Sequence, residues 1–161
     1  MRFVALIVWF ITALWGLYML AVWLIENDAT REGNAASRLP LPVILAHVTC
    51  ALSGLVVWVA YLLLDRPVLA WAAVGILVAI ALLGLTMFAR WIPVYRMTGD
   101  EVAVPVGAAA GGTPGGASGA LPARELPAEG SFPLLVVLAH GTFAVSTVVL
   151  VVLTALGIGG S

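Results

Sequence analysis

Four long apolar runs, separated by polar stretches of very unequal length, organise the chain. They cover about residues 3–25, 41–64, 68–89 and 133–156. Each exceeds the ~20 residues that a helix needs to cross ~30 Å of hydrocarbon. Each is also far too long for a strand of a membrane barrel, the other structure that satisfies its own backbone in lipid. The pattern predicts an all-α fold, a four-transmembrane-helix bundle that forms a single integral membrane domain over 1–161. The first run is too long for the apolar core of a cleavable signal peptide, and no A-x-A-like site follows it.

The polar stretches set the topology. Residues 26–39 (ENDATREGNAASRL) read as a loop, and Pro40 and Pro42 then open the second helix, where first-turn N–H groups have no helical partner anyway. Asp65-Arg66-Pro67 is so short a link that the second and third helices must be antiparallel neighbours. Pro93 is expected to end the third helix just after Arg90-Trp91. Residues 97–131 are rich in Gly, Ala and Pro, with too little apolar mass to fold, and are expected to form a flexible extramembrane loop. Pro133 opens the fourth helix.

The runs are related to one another. Pro40–Ser53 (PLPVILAHVTCALS) returns as Pro133–Ser146 (PLLVVLAHGTFAVS), with nine of fourteen positions identical. Ala13–Trp23 (ALWGLYMLAVW) returns as Ala81–Trp91 (ALLGLTMFARW), with Ala, Leu, Gly, Leu, Met, Ala and Trp in register. A tandem duplication of a two-helix unit accounts for both, the second copy carrying the longer internal loop.

Composition adds the class. The chain is 63% hydrophobic and 9% charged, with a mean hydropathy of +1.14, more apolar surface than a soluble domain of 161 residues could hide. All seven basic residues are Arg, which with the Ala/Gly/Val/Pro bias points to a high-GC bacterial genome and so to a bacterial inner (plasma) membrane. A net charge of −1 without a basic stripe argues against nucleic acid. The single cysteine, Cys50, excludes an internal disulfide; Phe143 takes its place in the second copy, so a repeated function needs no thiol. Arg31, Arg38, Arg90, Arg96 and Arg124 lie on the long-loop side against Arg2 and Arg66 opposite, which by Arg count alone puts the long loops in the cytoplasm. The acids next to Arg31 and Arg38 and the amine of Met1 work against that count, so orientation stays open.

The candidate chemistry lies in the two copies' histidines, His47 and His140, the only two in the chain. Each follows its opening proline by seven residues, ~10 Å along a helix. Units of two helices keep the same topology, so a pseudo-two-fold axis along the membrane normal relates them. That axis sets both imidazoles at equal depth, free to face each other, and an ionisable group inside a membrane is a functional hypothesis by default.

Two facing imidazoles in an apolar bundle suit the axial positions of a b-type haem, so the expected cofactor is haem b, with His47 and His140 on the iron. A macrocycle needs small neighbours. Positions four and seven after each histidine share its face: Ala51 and Gly54, then Ala144 and Thr147. Gly16 and Gly84 offer matching small sites on the first and third helices. Arg38, Arg90 and Arg96 cluster at the loop side, where Arg90 in particular could pair with propionate carboxylates, although Val22 occupies its equivalent.

Helix number and the paired His47 and His140 resemble small four-helix membrane b-type cytochromes, including the haem-bearing anchor subunits of quinone-linked oxidoreductases. The resemblance implies electron transfer between a quinone pool and a partner protein, and since the chain shows no soluble redox domain, a partner membrane or redox subunit in the lipid bilayer is expected.

Two alternatives stay open. The histidines could be packing groups, hydrogen-bonded to Thr49, Thr142, Ser53 or Ser146, in a non-redox accessory subunit. The bundle could instead bind or transport an ion, although two histidines alone are poor for zinc. No Ser-His-Asp set, phosphate-binding glycine loop or CxxC occurs, so catalysis by side chains is not expected.

Overall fold

A computed structural model describes residues 1–32, 37–102 and 127–158, with the side chains of 29–32 and 97–102 left aside. The described residues form four long helices: α1 (Arg2–Glu32), α2 (Leu41–Leu64), α3 (Pro67–Val102) and α4 (Leu134–Ala155). All four are long and apolar enough to cross a membrane. Their outward faces carry Phe3, Leu14, Val56, Leu63, Leu82 and Leu135, all at least half exposed, as lipid-facing surfaces must be.

Two helices outrun their sequence-based ends. α1 continues through Glu26 to Glu32 instead of yielding to a loop at 26–39, since the polar residues after Ile25 can stay helical outside the hydrocarbon. α3 passes straight through Pro93 to Val102. A proline inside a helix removes one backbone donor without necessarily stopping the chain, and membrane helices tolerate it where neighbours re-satisfy the backbone. The stretch 97–131 is therefore not one loop. Its first residues finish α3, Ala128–Ser131 form a 3₁₀ turn, and 103–126 lie outside the described residues.

The helix ends follow local chemistry. Pro40 and Pro133 precede α2 and α4 in extended conformation. Asp65 closes α2 in the left-handed region (φ 48°), its N–H donating to the Tyr61 carbonyl at 2.9 Å. Arg2 reaches the Asp65 carboxylate at 2.7 Å, tying the start of α1 to this turn. Gly157 (φ +74°) ends α4, with the Ile158 N–H on the Leu153 carbonyl and the Gly157 N–H on the Thr154 carbonyl, the paired bonds of a Schellman stop.

Around the bundle the order is α1, α2, α3, α4. α2 packs chiefly on α3 and α1 on α4, and among the described residues the backbones of the diagonals α1–α3 and α2–α4 stay apart, so that only side chains bridge them. Two cores fill it. The one toward the α2–α3 turn joins Ala5 and Trp9 with Trp58, Tyr61, Ala70, Ala73, Leu77 and Val151. The alanines make room for the fully buried Trp58 indole, a large ring against small neighbours. The other core, at the opposite end, joins Trp23, Leu39, Ile44 and Ala128. There the buried Glu129 accepts hydrogen bonds from Ser37 Oγ (2.8 Å) and the Arg38 N–H (2.6 Å), while Trp91 Nε1 donates to its carbonyl (3.2 Å). Trp23 Nε1 donates to Ser37 Oγ at 3.0 Å, so the two tryptophans hold down the two chain segments that cap this end.

Candidate functional site

The diagonal helices α2 and α4 bring His47 and His140 to the middle of the bundle, between the two cores. Their ring centres lie 6.4 Å apart, with the planes inclined at 55°. A ligating imidazole nitrogen sits ~2 Å from a first-row metal with its ring centre behind it, so two rings that shared one ion would stand at most ~6 Å apart centre to centre. The observed separation is close to that limit.

Each ring is cradled by a glycine from the other sequence unit. A Cβ on Gly16 of α1 would lie 3.0 Å from His140 Cε1, and one on Gly84 of α3 would lie 3.3 Å from His47 Cε1. A side chain at either position would press on the ring beside it, more closely at Gly16 than at Gly84. These glycines therefore lie directly against the rings.

Backbone contacts orient the rings. His140 Nδ1 lies 3.0 Å from the Thr12 carbonyl, one turn before Gly16. A carbonyl only accepts, so Nδ1 carries the proton and donates, which leaves the Nε2 lone pair available. This is the arrangement by which metal-bound histidines are commonly held. His47 Nδ1 adjoins the Ile80 backbone, at the position equivalent to Thr12 and one turn before Gly84, but it is buried without a well-formed hydrogen bond.

The other sequence candidates divide. Thr147 is buried, its hydroxyl donating to the Phe143 carbonyl (2.8 Å) and lying 3.2 Å from Thr12 Oγ1, so it buttresses the segment that holds His140. Gly54 is buried too, but the space beside it is filled: an added Cβ would stand 2.9 Å from the Trp9 indole and 3.1 Å from Ile76. It makes room for a tryptophan, not for a cofactor edge. Ala51 and Ala144 are half-buried on their histidine helices. Arg90 does not turn toward the imidazoles. Six residues beyond Gly84 on a helix is about 120° round from it, and Arg90 is exposed, with Nη1 donating to the Arg38 carbonyl at 3.3 Å.

The hydroxyls considered as histidine partners are occupied by their own helices. Ser53, Thr142 and Ser146 each donate to the carbonyl four residues earlier, and no histidine hydrogen bond to Thr49 is seen among the described residues. Sequence reasoning missed Thr12 and Ile80, which act through the backbone; their place four residues before the paired glycines was the available signal. It also missed Glu129, which sits in a stretch dismissed as low complexity. Among the described residues no three His, Cys, Asp or Glu side chains gather where they could hold a metal ion. No family model, curated protein or solved structure matches the chain.

Proposed function

We propose that this chain is a membrane b-type cytochrome, holding one haem b between His47 and His140 and passing electrons between a quinone pool and a partner protein. The observation that carries the reading is the pair of imidazoles on diagonal helices, 6.4 Å apart, each lodged against a glycine. The bound group would supply one-electron chemistry at iron. The chain's own residues supply the rest. Thr12 fixes the proton of His140 on Nδ1 and raises the basicity of Nε2. The apolar helices keep water from the centre.

Several paired positions support the underlying duplication: Ala5 and Ala73, Trp9 and Leu77, and Trp23 and Trp91 are equally inward-facing. The reciprocal histidine–glycine contacts support it as well, since a two-fold relation makes each unit complete the other. We place the protein in a bacterial inner membrane on its composition, with a membrane or redox subunit as electron partner.

The test is a dithionite-reduced minus air-oxidised spectrum of protein made with ample haem, together with His47→Ala and His140→Ala. A b-type α band that both substitutions abolish or alter is the expected result. A flat wild-type spectrum would overturn the reading and leave the histidines as packing groups in an accessory subunit.

A further inference from the structure

Beside the entry to α2, an open groove of about 600 Å³ is lined by Ser37, Arg38, Pro40, Ala89, Arg90 and Pro93. We propose that this groove holds the phosphate headgroup of an anionic glycerophospholipid, with its chains lying along α2 and α3. The proposal stands apart from the haem reading.

The groove has the depth, charge and walls for such a lipid. It sits where α2 begins, level with the Trp23–Trp91 end of the bundle, the height at which headgroups lie. Arg38 and Arg90 are both exposed there. A guanidinium carries five N–H donors in a fork that matches phosphate oxygens; the contact to the Arg38 carbonyl uses one from Arg90, and Arg38 has a further interaction of its own. Among the described residues no carboxylate lines the groove. The nearby Glu129 is fully buried, with its oxygens turned to Ser37 and the Arg38 N–H, so it does not compete for the rim.

Pro40, Ala89 and Pro93 give the groove apolar walls, and the Ser37 hydroxyl is already turned to Glu129. Pro93 has no N–H to give the Ala89 carbonyl one turn earlier, and both residues line the groove. Below Ala89 on the same face of α3, Leu85 and Leu82 are exposed, and Leu41 and Leu45 are exposed on α2. An amphiphile with a phosphate at the arginines and chains on these leucines meets like surfaces along its length. A free anion would use only the rim.

The experiment is a competition between phosphatidylglycerol and phosphatidylcholine for the full-length protein, read by native mass spectrometry. Wild type is expected to retain phosphatidylglycerol preferentially, by about fivefold per arginine engaged. Arg90→Gln and Arg38→Gln should each remove most of one such factor, whereas Arg66→Gln, at the other end of the bundle, should leave the preference intact. Equal retention of the two lipids by wild type, or the same loss in Arg66→Gln as in Arg90→Gln, would overturn the proposal. Saturable displacement of phosphatidylglycerol by millimolar inorganic phosphate would assign the groove to a free anion and overturn it as well.

Discussion

The two histidine half-sites share a plan and differ in finish. His140 is held by a hydrogen bond to the Thr12 carbonyl, and Thr12 is itself steadied by the Thr147 hydroxyl. His47 has the Ile80 backbone in the same place, no well-formed bond, and Gly54 where Thr147 would be. The glycine fit differs in the same sense, tighter at Gly16 than at Gly84. Matching positions on the helices thus give both rings a place, while side chains found beside His140 alone make its place firmer. Position follows from the shared helices, and rigidity from the residues that are not shared.

The glycines offer the most forceful way to break this comparison. Gly16→Ala sets a Cβ at 3.0 Å from the His140 ring, inside ordinary van der Waals range, and should displace the better-held ring. Overpacking of this kind costs ~1–3 kcal/mol. Thermal unfolding in detergent should show that loss, and haem retention should fall with it. Gly84→Ala, at 3.3 Å, should cost less on both readouts. Equal losses would mean that the two half-sites are equally rigid.

The rings themselves sharpen it. In protein labelled with ¹⁵N-histidine and free of haem, His140 is expected to show a single Nδ1–H tautomer, fixed by the Thr12 carbonyl, whereas His47 should show a mixture. Two identical patterns would sink the distinction. The smallest effect belongs to Thr147→Val, which removes one hydroxyl contact while Thr12 Oγ1 keeps its bond to the Val8 carbonyl at 2.8 Å. Interhelical hydrogen bonds in membranes average about 0.6 kcal/mol, and the shift in unfolding should not exceed that, because each hydroxyl has one proton and both also reach a carbonyl of their own helix. The tautomer of His140 should loosen with it, and a variant that alters His47 instead would contradict the assignment.

How far these features could be read from sequence depends on what each rests on. The four helices were legible because lipid leaves an apolar run of that length little choice. Their ends were not, since nothing in ENDATRE forbids continuation and Pro93 breaks one bond without stopping α3. The histidines and Gly16 and Gly84 were legible from register between the paired segments. Gly54 was misjudged because a small residue announces space without saying what fills it, and here Trp9 does. Thr12 serves His140 through its main-chain carbonyl, a contribution that any residue type could make and that residue identity therefore hides. Arg90 was expected at the loop-side end with Arg38, and it lies there, exposed and bonded to the Arg38 carbonyl.

The crossed contacts between the glycines and the histidines have one more consequence. Gly16 meets His140 and Gly84 meets His47, so a cut at Asp65-Arg66 would leave two hairpins, neither of which contains a complete ring-and-glycine pair. Each fragment would hold half of two clasps, and both clasps would close only when the fragments found each other. The centre of this bundle is a property of complementation between hairpins, as the seam of a two-chain assembly would be.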